Sequence, residues 1–381
     1  MKFKYLSILL ILLIPLANSQ NWSIGDYWNY TGEFRYNEEM SFENFSFSLK
    51  IVTQKMDAKI KIVDTEVKKI NNELKGCYVA KIYANISGSL VIEGTFGEKS
   101  QKIDGIFDIK TIGTIYFTTK EIAVVSNEND VYFNVTISPN IPLYGIIPSS
   151  PVHVVTEYNP PLDFLDFPIY EGEEWKAVTN VTAYGMEEEP ITQEISFSFK
   201  CVKKLGENVY QIESTYNPLG GLTPFENISS ATTIIWNGEK GMIEKVINME
   251  KGVFLQLQLT NDYKHEEREN KPPIASIEYS PKEPKVGTKI LFESKSKDED
   301  GKIVYYFWDF GDGKSSNQQN PSHIYSKAGE YTVTLIVMDN YGEESKATIK
   351  INVEKREETP GFAAISAMIA IILIFLRRRF R

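Results

Sequence analysis

Alternation of apolar and polar residues runs through most of this chain and restricts its fold more than any other feature. In "FSFSLK", Phe45, Phe47 and Leu49 fall on one side and Ser46, Ser48 and Lys50 on the other. In "VFLQLQL", Leu255, Leu257 and Leu259 alternate with Gln256 and Gln258. A period of two puts successive side chains on opposite faces of an extended strand, so these segments read as half-buried antiparallel strands. No long stretch outside the two ends shows helical periodicity. The expected class is all-β.

The strands also recur in a fixed order. "GDYWNY" from Gly25 corresponds to "GEEWKA" from Gly172, and "FSFSLK" at 45–50 to "ISFSFK" at 195–200. "TIYF" at 114–117 answers "TIIW" at 233–236, and "VYFNVTI" at 131–137 answers "VFLQLQL" at 253–259. Matches in one order predict two tandem antiparallel β-sheet domains, residues 20–137 and 165–262. The segment between them, 138–164, is rich in proline, which fixes φ and cannot donate to a ladder. It is expected to be a connector rather than a central strand, packed on one of the domains by its apolar residues. Residues 263–271, within "NDYKHEERENKPP", are charged and read as an exposed linker.

The two ends give an address. "MKFKYLSILLILLIPLANSQ" has Lys2 and Lys4 ahead of an apolar core and small residues at 17–19, the pattern of a signal peptide over 1–19 cleaved before Gln20. At the other end, Phe362 to Leu376 form an apolar run of 15 residues before arginines. A bilayer span uses roughly 17–25. The net charge of −10 repels phosphate backbones, so nucleic acid is not an expected partner. With only two cysteines, Cys77 and Cys201, there is no disulfide framework, and their spacing leaves open whether they pair. Seven Asn-x-Ser/Thr sequons, at Asn21, Asn29, Asn44, Asn85, Asn134, Asn180 and Asn227, are glycosylation candidates on an exported chain.

After the linker, "SKDEDGKIVYYFWDFGDG" and "NPSHIYSKAGEYTVTLIVMDNYG" resemble the PKD domain over residues 272–354. Val304, Tyr306, Trp308 and Phe310 alternate onto one face, and the motif Trp308-Asp309-Phe310-Gly311-Asp312-Gly313 then turns the chain. Tyr331, Val333, Leu335 and Val337 supply a second core-facing strand. The resemblance implies an immunoglobulin-like β-sandwich of the kind found outside cells as a spacer, adhesion unit or accessory to hydrolases. Asp298, Asp300 and Asp312 are oxygen donors of the type calcium takes, but a turn role is favoured for them, and no cofactor is expected.

The tail resembles a second known signal. Pro360-Gly361-Phe362, at the junction of an acidic stalk (355–361) and the apolar tail (362–381), resembles the PGF-CTERM sorting motif of archaeal surface proteins. The resemblance implies an archaeosortase-like processing enzyme that replaces the tail with a lipid. The alternative is a permanent C-terminal transmembrane helix held by cytoplasmic arginines. Both put the body at the cell surface.

Chemistry is sparse by comparison. His153, His265 and His323 are scattered over the connector, linker and sandwich, and no HExxH, GxSxG, CxxC or P-loop pattern occurs. Glu171, Glu173 and Glu174 beside Trp175 read as a solvated turn opening a strand; Trp22, Trp28, Trp175 and Trp236 have rings of the kind that stack on sugars, but Trp28 and Trp175, at the repeated positions, read as core anchors. The expected function is therefore a non-enzymatic, membrane-anchored surface protein presenting β-domains to an envelope protein or glycan. A hydrolase or carbohydrate-binding accessory is the first alternative, and a lipid-sheltering β-domain the second.

Overall fold

The computed structural model describes residues 22–42, 45–96, 99–120, 123–138, 151–165, 168–185, 189–215, 232–250, 252–265, 270–355 and 362–379. The signal segment 1–19 and Pro360 and Gly361 lie outside the described residues. The chain divides into two compact units, the first comprising the residues up to Asn270 together with Asn340–Gly342 and the second Lys271–Asp339 and the residues from Glu343 on.

The described residues of the first unit form twelve strands. One half comprises β1 (Tyr27–Phe42), β2 (Phe45–Ile70), β3 (Glu73–Phe96), β4 (Lys99–Thr118), β5 (Val124–Ser138) and β6 (Val152–Leu162). The other half comprises β7 (Glu174–Tyr184), β8 (Ile191–Gly206), β9 (Val209–Ser214), β10 (Thr232–Asn237), β11 (Met242–Glu250) and β12 (Val253–Lys264). Each strand pairs antiparallel with the next, and β12 returns to pair with β1, closing a barrel. Tyr30, for example, faces Ala58 on one side and Leu259 on the other.

This arrangement corrects the expectation of two tandem domains. The stretches 20–137 and 165–262 are halves of one barrel. The outer ladder groups of β1 are satisfied by β12, from the far half of the sequence, and an unpaired strand edge is what closure removes. The connector is corrected too. Its second part is β6, a central strand paired to both β5 and β7. Val154, Thr156 and Tyr158 alternate inward before Pro160 and Pro161, which come where pairing to β7 has ended at Asn159. The linker likewise starts late, because Tyr263 and Lys264 belong to β12.

Equivalent positions in the two halves lie six strands apart. The first and third sequence correspondences fall in register on β1 and β7 and on β4 and β10, whereas the second falls on β2 and β8 out of register, because Ile60 opposite Trp28, not Leu49, is the counterpart of Phe199 opposite Trp175. The turn ahead of each half is duplicated in its hydrogen bonds. Gly25 N–H donates to Ile62 O (2.9 Å) and Gly172 N–H to Cys201 O (2.8 Å). Ile62 N–H returns to Asp26 O and Cys201 N–H to Glu173 O, both at 2.9 Å. The carboxylates of Asp26 and Glu173 cap the N–H groups of Ser23 (2.8 Å) and Tyr170 (2.9 Å). Both glycines sit at positive φ, 104° and 86°, which explains why glycine stands at both positions. The fourth match, β5 with β12, is one strand out of step and reflects alternation alone.

Inward residues of the barrel form one core, including Trp22, Trp28, Tyr78, Phe117 and Trp236 at the end where β1 begins. An outward row on β5 runs Glu128, Asp130, Tyr132, Asn134 and Thr136, the solvent side of the same alternation. The β2–β3 hairpin turns on Asn71 and Asn72, both left-handed (φ 50° and 68°), a two-residue geometry that matches strand twist.

The second unit contains two sheets. Strands β13 (Ile277–Ser280), β14 (Lys289–Ser294) and β17 (Ser322–Ile324) make the smaller sheet. Strands β16 (Ser315–Ser316), β15 (Ile303–Asp309), β18 (Gly329–Asp339) and β19 (Glu344–Val353) make the larger, in that order. Ile290 and Phe292 of β14 meet Trp308, Val333, Leu335, Val337 and Ile351 in one core. The aromatic pair Phe292–Trp308 has ring centroids 5.5 Å apart.

A helix, α1 (Phe362–Arg379), carries the apolar tail. The fifteen residues of the largely apolar run, at 1.5 Å each, cover only about 22 Å, and the helix ends in arginines. Among the described residues no helix is long and apolar enough to cross a membrane.

Candidate functional site

Barrel closure brings together a buried pair that the sequence separates by 239 positions. Asp26, in the turn before β1, and His265, just past β12, meet at 2.9 Å between Oδ2 and Nδ1, each side chain 2 % exposed. Asp26 Oδ2 also accepts the Ser23 N–H at 2.8 Å. The His265 ring lies 5.8 Å from the Trp28 ring, and its Nε2 is buried without a hydrogen-bond partner. The Trp28 indole N–H donates to Lys240 O (2.7 Å) and that of Trp22 to Gly241 O (3.1 Å). Trp28 is therefore a core anchor, as expected, Trp22 and Trp236 join it in the core, and Trp175 packs partly buried against the same core with its N–H on Phe164 O.

The opposite end of the lumen differs. Phe34, Leu49, Ile51, Phe107, Phe133 and Phe197 face inward yet are only partly buried. Between this apolar end and the packed end lie Asn127 and Asn129 of β5 and Tyr158 of β6, 1 %, 2 % and 3 % exposed. Asn127 Oδ1, Asn129 Oδ1 and the Tyr158 hydroxyl have no hydrogen-bond partner. Gly113 of β4 makes room for one of them, because a Cβ there would overlap the Asn129 amide oxygen. Buried polar atoms without partners are rare in folded proteins and mark places for water or a polar ligand group. The reading of the sequence missed this belt, since asparagines in "SNENDVYF" look like loop residues.

The other acidic candidates have structural work. Glu173 caps the turn before β7, Glu171 accepts the Lys204 N–H (3.2 Å), and Glu174 pairs with Lys200 at 2.7 Å. The Lys200 hydrogen bond and charge hold the exposed Glu174 carboxyl below its usual range. His153 sits outside the barrel between Asp130 (2.9 Å) and Glu128 (3.4 Å). Cys77 and Cys201 are both buried free thiols, so they do not pair, and burial pushes the Cys77 thiol up to about 12.

In the second unit the "WDFGDG" motif is visible as a turn. Asp309 Oδ1 accepts the Gly311 N–H (2.8 Å) and Asp312 Oδ1 the Lys314 N–H (3.2 Å). Gly311 and Gly313 have φ of 75° and 84°. His323 stacks on Phe310 at 4.2 Å and binds Asp312 Oδ2 at 2.9 Å. The family of PKD domains matches residues 270–353. That stretch is a PKD domain. A segment of 87 residues is 49% identical to collagenase ColQ1 of Bacillus cereus, covering 23% of this chain and 9% of the collagenase. The pre-pro-metalloprotease PrtV of Vibrio cholerae is 40% identical over 86 residues, 22% of this chain and 9% of PrtV. The chain thus spans less than a tenth of either relative. The crystal structure of the PKD1 domain of Vibrio anguillarum Epp is 39% identical, covering 23% of this chain and all of that one, with a TM-score of 0.22.

Within the PKD domain, Asp298 and Asp300 separate from Asp312. Asp298 Oδ1 accepts the N–H groups of Asp300 (3.3 Å) and Gly301 (3.2 Å), the expected turn role. Its Oδ2 and Asp300 Oδ1 are buried and unpartnered. Burial first, then the charges of Asp339 and Asp300, raise the Asp298 carboxyl above its ordinary 3.8. Among the described residues no group of three His, Cys, Asp or Glu stands ready to hold a metal ion. A carboxyl raised on folding adds stability that is full below pH 3.8 and lost as pH rises through the folded value. Asp298→Asn keeps the two accepted bonds and removes the charge. In calcium-free buffer at pH 7 it should raise the melting temperature of the PKD domain by roughly 1–3 °C and flatten its acid dependence. Calcium that stabilises the wild type but not Asp298→Asn would assign a cation to this pair.

Four sequon asparagines are described, Asn29, Asn85, Asn134 and Asn180, on β1, β3, β5 and β7. All point away from the core, in register opposite to their inward neighbours Tyr30, Ile86, Val135 and Val181. Asn21, Asn44 and Asn227 lie outside the described residues.

Proposed function

We propose that this chain is an exported, non-enzymatic surface protein, with a PKD domain and a twelve-stranded barrel as its extracellular body. The observation that carries this reading is the order of parts: a PKD domain directly ahead of an apolar helix capped by arginines, on a chain that opens with an export-type segment. The proteases ColQ1 and PrtV support an accessory role outside the cell, since what they share with this chain is about the length of a PKD domain. A fold of that kind brings no catalytic activity with it. The barrel wall then faces the envelope, for adhesion to a protein or glycan, and the tail anchors the body directly or through a lipid that replaces it. Surface cross-linking on intact native cells tests this. A reproducible envelope partner joined to residues 22–265 is the expected result, whereas a chain confined to the cell interior would overturn it. The mass of the intact native protein decides the tail: retained terminal arginines would sink the sorting reaction.

A second reading has its own observation. The partly exposed inward phenylalanines above unpartnered Asn127, Asn129 and Tyr158 suit an amphiphile with its polar group against the belt. Eight-stranded barrels are filled by side chains or hold one small ligand, and sixteen-stranded ones enclose a channel; twelve falls between. Mass spectrometry of organic extracts of the purified barrel should recover a bound amphiphile, and Asn129→Leu should reduce it.

A further inference from the structure

Exposed aromatic side chains on the outer wall of a barrel need a reason, and the sequons supply one. Two residues before Asn29, Asn44, Asn85, Asn134 and Asn227 stand Tyr27, Phe42, Tyr83, Tyr132 and Phe225. Aromatics make up 12% of the chain, so five in seven sequons is far above composition. A sixth, Asn180, has Val178 in the same place. In a strand, residues two apart point to the same face about 6.6–6.8 Å from each other. On β3, β5 and β7 the structure puts the preceding side chain on the outside, with Tyr83 48 % exposed, Tyr132 39 % and Val178 46 %; Asn134 and Asn180 beside them are exposed and Asn85 is half-buried on the same outer face.

The neighbourhood extends the surface. Tyr83 lies opposite Ile112, itself 47 % exposed, and Asn85 opposite Lys110, which lies opposite Tyr132. Asn134 follows Tyr132 by two positions on the same strand face. Two attachment points therefore border one patch of Tyr83, Ile112 and Tyr132. A pyranose ring has an apolar C–H face, and the electron-rich face of an aromatic ring is its natural complement. A sugar joined to Asn85 or Asn134 reaches the patch without any cost of association, because the bond to asparagine sets a high effective concentration. Asn29 differs, since it and Tyr27 already share Asp262, at 2.7 Å and 3.0 Å.

We propose that Asn85 and Asn134 carry N-linked glycans whose first pyranose rings lie on Tyr83 and Tyr132, covering the exposed apolar patch of the barrel wall. The inference rests on the export reading above. The transferase of the export machinery moves the sugar from a lipid-phosphate-linked donor: the bond from Asn Nδ2 to the sugar C1 forms as the bond from C1 to the phosphate oxygen breaks, the lipid phosphate leaves and the amide gives up one proton.

The test uses the full chain, expressed with its own N-terminal segment in a secreting host that performs N-glycosylation. Mass spectrometry of peptides from the exported protein should show sugar on Asn85 and Asn134. Melting is then compared for wild type, Tyr83→Ala, Asn85→Gln and the double variant. Tyr83→Ala is expected to lower the melting temperature by roughly 1–3 °C more when Asn85 is glycosylated than in the Asn85→Gln background. Tyr83→Phe, which keeps the ring face, should behave as wild type. Exported chains bare at both asparagines overturn the proposal alone, as does an equal effect of Tyr83→Ala in both backgrounds. A chain that stays inside the host overturns the export reading and this proposal with it.

Discussion

A fragment of residues 22–138, carrying β1 to β5, is expected not to fold by itself. In the intact barrel β1 pairs with β12 and β5 with β6, so the fragment has both long edges unpaired. Its core is lost as well. Tyr30, Ile60 and Ile82 share one cluster with Trp236, Val246, Leu255 and Leu257 from the other half. Each large apolar side chain left in water forfeits about 1.5–3 kcal/mol, against a typical total stability of about 5–15 kcal/mol. Losing four such partners removes the margin. The fragment should show little amide dispersion and rapid proteolysis, and co-expression with residues 152–265 should restore both. A fragment that is cooperative and protease-resistant alone would return the molecule to two independent domains.

Breaking the Asp26–His265 pair should be the most damaging single change at the barrel seam. Both side chains are 2 % exposed, and the pair ties the turn before the first strand to the residue after the last. Removing one partner of a buried pair strands the other, at a cost of about 3–5 kcal/mol. His265→Ala leaves Asp26 with only the Ser23 N–H, and Asp26→Ala leaves the imidazole with no partner at either nitrogen. Either variant should lower the melting temperature by roughly 10 °C at this domain size. The double variant should cost far less than the sum, since the second change removes a group already stranded. Additive losses in a double-mutant cycle would show that the two side chains act separately.

Much of the architecture was legible before any coordinates. Period-two patterning gave the strands and their buried faces, and the aromatic alternation around Trp308 and Phe310 marked the PKD core. The Gly25 and Gly172 turns exposed the duplication because a positive φ leaves a residue-level trace. What misled was proline. Pro160 and Pro161 argued against a strand, yet they come at its end, where a missing N–H does no harm to the ladder. The candidate sites were less legible. Asn127, Asn129 and Tyr158 face the lumen on two neighbouring strands, and nothing in "SNENDVYF" distinguishes a buried amide from a loop one. Burial, and after it the charge of Asp339, 41 positions later, raise the Asp298 carboxyl, and only the folded sandwich supplies either.

The sequence by itself determined the local facts: which residues extend, which face is apolar, where the chain turns, and which aromatics precede which asparagines. Those follow from side-chain chemistry acting over a few residues. Tertiary structure decided whether six strands close on themselves or on six others, and which distant groups become partners. Strand edges are chemically alike along the whole chain, since every backbone offers the same N–H and C=O groups. Which edge meets which is settled by twist, length and the filling of one shared core, none of which is written in a single segment.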